Sequence, residues 1–246
     1  MATVHHVEVI DGEVPRAATH AHAGELARYY VWDLVVRVTH WVVVLSMIVL
    51  GLTGYYIGKP FIAAPGPAGV NFVMGWAKVL HFYAAIAFTL AVLARIAWMF
   101  VGPRRSNWRQ FVPTTKRRLR GFVETLKFYL FLRKTPPLSI GHNPLAGLSY
   151  LAVFALYLVM IATGLALYSI GARGSYMGFF DFLLPWFNGA QGARWLHHVT
   201  MWLLIVFVIQ HLYSALLTSR TEKNGTMDSI FSGYKHLPKD MPEDDE

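Results

Sequence analysis

The sequence predicts an all-α integral membrane protein, a bundle of four transmembrane helices with both termini in the cytoplasm. Three observations lead there. Four apolar stretches in the 246-residue chain each exceed the roughly 20 helical residues needed to cross a hydrocarbon core of about 30 Å. Hydrophobic residues make up 55% of the chain, and its mean hydropathy is +0.40, above the range of soluble domains. The cations, finally, crowd into a single connection between two of the stretches.

Residues 1–30 are polar and are expected to form a flexible cytoplasmic tail, in which His5, His6, His20 and His22 read as tail residues and not as a metal site. The helical domain spans 31–220. Its first helix, about Leu34 to Ile57, has no small-residue cleavage site after it, so it is a retained span and not a signal peptide. The second runs from about Trp76 to Val101. Leu119, Phe122, Val123, Leu126, Tyr129, Leu130 and Leu132 then interleave with cations between Lys116 and Lys134, which suits an amphipathic helix on the membrane surface. The third span runs from about Leu145 to Ile170 behind Pro144, a residue favoured in a first helical turn. Tyr176 to Asn188, with Phe179, Phe180, Phe182, Trp186 and Phe187, reads as an interfacial element, either an aromatic belt or a docking surface. The fourth span is about Ala193 to Thr218, and 221–246 form a cytoplasmic tail with an acidic end.

Ten cations, Arg104, Arg105, Arg109, Lys116, Arg117, Arg118, Arg120, Lys127, Arg133 and Lys134, lie between the second and third spans, with Glu124 the only acid. The other two connections hold Lys59 with Lys78, and Arg173 with Arg194. The positive-inside rule therefore puts the basic loop and both termini in the cytoplasm. Lys and Arg number 22 against 14 Asp and Glu, a net +8 that suits anionic lipid headgroups and not nucleic acid. Cysteine is absent, which excludes disulfides, Cys-ligated zinc, protein-bound iron–sulfur clusters and thioether-linked haem.

Metal or redox chemistry must then use nitrogen or oxygen ligands, and ionisable residues inside spans are usually functional. His40, His81, His197, His198 and His211 are the candidates. With alternating helix directions, His81 and His197 share the outer level, and His40 and His211 the cytoplasmic level. Fourteen residues separate 197 from 211; at about 100° per residue this falls within roughly 40° of four whole turns and rises about 21 Å. Thirteen residues miss by roughly 140°. His197 is thus preferred over His198. Two imidazole pairs at two depths are what two b-type haems require, so the bundle is expected to have a di-haem b core with axial pairs His81/His197 (outer) and His40/His211 (inner).

Gly54, fourteen residues after His40, offers space at the outer level, and Gly51, Gly164 and Gly147 are similar, although close helix packing would select glycine too. Arg95, fourteen residues after His81, and Arg37, one turn before His40, suit propionates of the inner haem, as Lys78 and Arg194 suit the outer one; snorkelling anchors have the same composition. His142 and Asn143 are placed either to cap the third helix or to hydrogen-bond a quinone headgroup.

The runs VVRVTHW (Val35 to Trp41), GLTGYYIG (Gly51 to Gly58), FVMGWAKVLHF (Phe72 to Phe82), GHNPLAGLSYL (Gly141 to Leu151), RWLHHVTMW (Arg194 to Trp202) and FSGYKH (Phe231 to His236) resemble the b-type cytochrome subunit of membrane-bound NiFe uptake hydrogenases. The similarity extends from about Tyr30 to His236, and departs mildly where the family often has proline and this chain has Val35. The resemblance implies a bacterial inner-membrane subunit that anchors the periplasmic NiFe large subunit and iron–sulfur small subunit. It implies electron flow from the small subunit through two haems to quinone, the ligands His40, His81, His197 and His211, and no hydrogen-activating site in this chain. The cytochrome subunit of a formate dehydrogenase is the alternative within this class. A haem-free histidine-containing transporter or proton channel is the alternative outside it, and a non-haem di-iron oxygenase ranks last because the histidines are split between two depths.

Overall fold

A computed structural model describes residues 8–9, 26–62, 66–67, 71–112, 115–134, 144–172 and 174–238. In chain order these form β1 (Glu8–Val9), β2 (Leu26–Tyr30), α1 (Leu34–Gly58), α2 (Val73–Val101), α3 (Lys116–Tyr129), α4 (Pro144–Gly171), α5 (Gly189–Glu222), α6 (Ser229–Ser232) and β3 (Tyr234–Pro238). Among the described residues α1, α2, α4 and α5 are long and apolar enough to cross a membrane, the four spans that the sequence predicts. At about 1.5 Å per residue, the 34 residues of α5 extend about 51 Å, well beyond a hydrocarbon core. Its last turns carry Ser219, Arg220, Thr221 and Glu222, as a segment leaving the apolar phase should.

The chain divides into two compact units. The first comprises Met1–Arg37, Trp98–Val153 and Phe207–Glu246. Asp33 organises it. One carboxylate oxygen caps α1 by accepting from the Val36 N–H at 3.0 Å, and the other accepts from Trp98 Nε1 at 3.0 Å and Ser106 Oγ at 2.5 Å. A small apolar core of Val31, Trp32, Val36 and Leu237 lies beside it, with Tyr29, Trp98 and Ile230 against it. The three strands form an antiparallel sheet in the order β1-β2-β3, with Leu26 opposite Pro238 and Tyr30 opposite Tyr234. Gly233 makes the turn into β3 at φ 91°, and a Cβ there would lie 2.6 Å from the Tyr30 ring and 2.9 Å from the Trp32 carbonyl, so only glycine fits.

Thr115 caps α3 by accepting from the Arg118 N–H, and the buried Arg118 guanidinium donates to the side chain and backbone carbonyls of Gln110 at 3.1 and 2.7 Å. Leu119, Val123 and Leu126 of α3 stay exposed beside Lys116, Arg120 and Lys127, the amphipathic pattern expected of it. The second unit comprises Val38–Ala97 and Phe154–Val206. Aromatic pairs join its helices: Phe88 with Tyr157, Phe82 with Tyr168 and Tyr55 with Trp202.

Some elements differ from expectation. Residues 26–30, assigned to a flexible tail, pair with 234–238, assigned to the other tail, so an ordered sheet stands where two loose segments were expected. The second and fourth helices begin at Val73 and Gly189, earlier than Trp76 and Ala193, because helical hydrogen bonding continues past the apolar stretch. The segment after α4 forms two 3-10 helices, Tyr176–Leu183 and Pro185–Phe187, with Tyr176, Phe179, Phe182 and Trp186 exposed.

Candidate functional site

Four helices of the second unit meet around two histidines. His81 projects from α2, and its Nδ1 lies 2.9 Å from Thr53 Oγ1 of α1. His197 projects from α5, and its Nδ1 lies 2.8 Å from Thr163 Oγ1 of α4. Each threonine has already committed its single proton: Thr53 donates to the Val49 carbonyl at 2.6 Å and Thr163 to the Val159 carbonyl at 2.7 Å. The hydroxyl oxygens can therefore only accept from the rings, so both imidazoles carry their proton on Nδ1. Nε2 keeps its lone pair, the form in which a neutral histidine ligates a metal.

A glycine follows each threonine. A Cβ on Gly54 would lie 3.2 Å from His81 Cε1, tighter than ordinary contact, and one on Gly164 would lie 3.5 Å from His197 Cε1. Met201, one turn beyond His197, approaches Gly54. Thus α1 and α4 each supply a threonine and a glycine, and α2 and α5 each supply a histidine.

His198 is used differently. Its Nδ1 bonds the Arg194 carbonyl at 2.9 Å, and its Nε2 faces Gly58, where a Cβ would lie only 2.5 Å away. The ring is lodged against the end of α1, in keeping with the phase difference between adjacent positions of one helix. His40 and His211 fall in different units. His40 lies edge-on to Trp41 with ring centres 5.4 Å apart. His211 stacks on Phe207 at 5.6 Å and 15°, with Tyr150 Oη a long 3.4 Å from its Nδ1.

Of the other candidates, Arg95 is buried on α2, while Arg37 donates from Nη1 to the Phe231 carbonyl at 2.5 Å, a contact that ties α1 to α6. Arg194 donates to Gln191 at 2.7 Å. Gly147 does not open space beside a histidine: a Cβ there would meet the Gln110 carbonyl at 2.6 Å, so this glycine permits close backbone packing. Gly51 has nothing within 4 Å of a would-be Cβ. His142 and Asn143 lie outside the described residues.

Thr53 and Thr163 are absent from the candidates that sequence reasoning selects. A signal for them exists in the repeated Leu-Thr-Gly at 52–54 and Ala-Thr-Gly at 162–164, each placed inside an apolar span. A lone threonine in such a span ordinarily bonds its own helix, as these do, and only the packing shows a second partner.

The model of the prokaryotic cytochrome b561 family matches residues 31–233. The chain belongs to that family. This cytochrome b561-family chain is 35% identical over 218 residues to the "Probable Ni/Fe-hydrogenase B-type cytochrome subunit" of Azotobacter vinelandii, covering 87% of the chain and 91% of the relative. It is 37% identical over 210 residues to the protein of the same description from Cupriavidus necator, covering 84% and 86%. With the "Probable Ni/Fe-hydrogenase 1 B-type cytochrome subunit" of Escherichia coli K12 it shares 37% identity over 213 residues, covering 84% and 90%.

Proposed function

We propose that this chain is the membrane-anchoring di-haem cytochrome b subunit that passes electrons from the iron–sulfur subunit of a periplasmic NiFe hydrogenase to membrane quinone. The observation that carries this reading is the His81 and His197 arrangement, in a chain whose relatives are named as cytochrome subunits of Ni/Fe-hydrogenases. The residues fit a b-type haem there. Two neutral imidazoles on different helices offer Nε2, and the missing Cβ atoms of Gly54 and Gly164 leave room beside both rings. When bound, haem supplies one-electron redox chemistry; the chain supplies ligands, orientation and an apolar surround.

His81 and His197 would hold the outer haem, and His40 and His211, which lie fourteen residues from Gly54 and His197 on the same helices, would hold the inner one. Arg37 and Arg95 would supply positive charge to the propionates of the inner haem. The basic connection sets the orientation, with the subunit in the bacterial inner membrane and its hydrogenase partners on the periplasmic side. Amphipathic α3 lies on the cytoplasmic leaflet, its Lys116, Arg120 and Lys127 on anionic headgroups. His142 and Asn143 are the residues proposed to hydrogen-bond the quinone headgroup. Hydrogen activation and the iron–sulfur relay belong to the partner subunits, since a chain without cysteine holds no thiolate ligand for either.

The test is purification of the chain from its native membranes in mild detergent. The nickel–iron and iron–sulfur subunits should copurify, and hydrogen should reduce the haem of the complex and then a quinone analogue. Copurification with a molybdenum subunit, or a colourless preparation, would overturn the reading.

A further inference from the structure

We infer that Thr53-Gly54 and Thr163-Gly164 are two equivalent brackets, in which the threonine fixes the proton and ring orientation of an axial histidine and the glycine clears the space beside it. Thr53 and Thr163 are on this account positioning residues that act through His81 and His197. The inference rests on the haem reading above but adds to it a property that ligand identity alone does not carry.

The two brackets are built alike although they lie on different helices and face different histidines. In both, the threonine hydroxyl bonds the carbonyl four residues earlier in its own helix, at 2.6 Å for Thr53 and 2.7 Å for Thr163. In both, the same oxygen receives the imidazole Nδ1–H from a neighbouring helix, at 2.9 Å for His81 and 2.8 Å for His197. In both, the next residue is the glycine whose absent Cβ would touch the same ring at Cε1. The i to i−4 bond is what gives the arrangement its direction. It removes the hydroxyl's only proton, so the oxygen is an obligatory acceptor, and the chain of hydrogen bonds from ring to hydroxyl to carbonyl polarises each member in turn.

The consequences follow from this direction. A histidine whose Nδ1–H is bound cannot switch to the tautomer that presents Nδ1, so Nε2 is the only atom offered to iron. Drawing the Nδ1 proton toward the hydroxyl also increases the basicity of the ligand, which favours the ferric over the ferrous state and lowers the reduction potential. His211 differs, since its Nδ1 has a tyrosine hydroxyl at the longer distance of 3.4 Å and its ring is stacked on Phe207.

The decisive experiment is a redox titration, with EPR of the oxidised haems, of the purified complex carrying Thr53→Val, Thr163→Val, both together, and the corresponding serine variants. Valine keeps the shape and removes the acceptor; serine keeps the acceptor. With haem retained, the expected result is an upward shift of one haem midpoint in each valine variant and a larger shift in the double variant. The other haem keeps its midpoint, the g-values change at the shifted haem only, and serine returns both readouts to wild type. Loss of that one haem in the valine variants with retention in the serine variants also supports the brackets. An unshifted midpoint with unchanged g-values in the double valine variant would overturn them, as would equal perturbation by serine and valine. A wild-type complex without haem would instead refute the underlying functional reading.

Discussion

In the second unit the rings of His81 and His197 each give one nitrogen to a threonine and keep the other, whereas in the first unit the half-buried Asp33 and the buried Arg118 turn toward neighbours of their own unit. Asp33 accepts from a backbone N–H, an indole and a hydroxyl; Arg118 grips both carbonyl oxygens of Gln110. Both patterns satisfy the rule that polar groups removed from water need partners. The two clusters differ in the atom left over: in the second unit each ring keeps an Nε2 lone pair of the kind that a neutral histidine uses to ligate a metal.

The largest effects should come from removing that atom. His81→Ala or His197→Ala is expected to eliminate the outer haem and spare the other, while His40→Ala or His211→Ala does the reverse, read as haem per chain in the pyridine haemochrome assay. Loss of the same haem from all four variants would break the contrast between the two levels. His198→Ala, in the same assay, should leave haem content unchanged, because its ring is lodged against Gly58.

Next in size is space. Gly54→Val pushes a branched side chain toward a ring that even a Cβ would approach to 3.2 Å; overpacking of this kind costs about 1–3 kcal/mol and should weaken haem retention correspondingly. Gly51→Val, where the surroundings are open, is the control and should retain haem normally. In the first unit, Asp33→Ala should act on stability without touching the spectrum. Losing a cap costs about 1 kcal/mol, and each stranded donor about 1–3 kcal/mol, so thermal unfolding in detergent should begin several degrees earlier.

The smallest effect lies at Glu124 on α3, whose carboxyl is held below the usual carboxylate range by hydrogen bonds first from Lys127 and then from Arg133. A depressed carboxylate stabilises the fold above its unfolded-state pKa, and that contribution disappears as pH falls through the folded-state value. Because the group is only partly buried and its ion pairs are screened by solvent, Glu124→Gln should change the acid limb of a melting-temperature profile only slightly and leave neutral pH almost unaffected. A large change at pH 7 would contradict this.

The division between what was legible in the sequence and what was not follows the range of the interactions. Spans are legible because length and apolarity are local properties of α1, α2, α4 and α5. The proximity of Gly54 to a histidine ring follows from helix depth and phase. Gly147 looks the same in the sequence, yet it meets the Gln110 backbone, because its surroundings are set by a 3-10 turn that periodicity does not describe. The pairing of 26–30 with 234–238 joins LARYY to YKHLP, two five-residue segments without clean alternation and some two hundred residues apart, so neither announces its partner. Thr53 and Thr163 were hidden for a third reason: their role depends on which way two helices are rotated about their axes, and a side chain content with its own backbone gives no sign of a second bond.

His81 and His197 are proposed to form one bis-imidazole haem site that is distinct from a second. A redox-titrated absorption spectrum of the purified subunit, with haem quantified per chain, tests this directly. Two low-spin b-type haems per chain titrating as separate components, one of them missing from His197→Ala, is the predicted result. A spectrum without a Soret band, or one unchanged by His197→Ala, would contradict it.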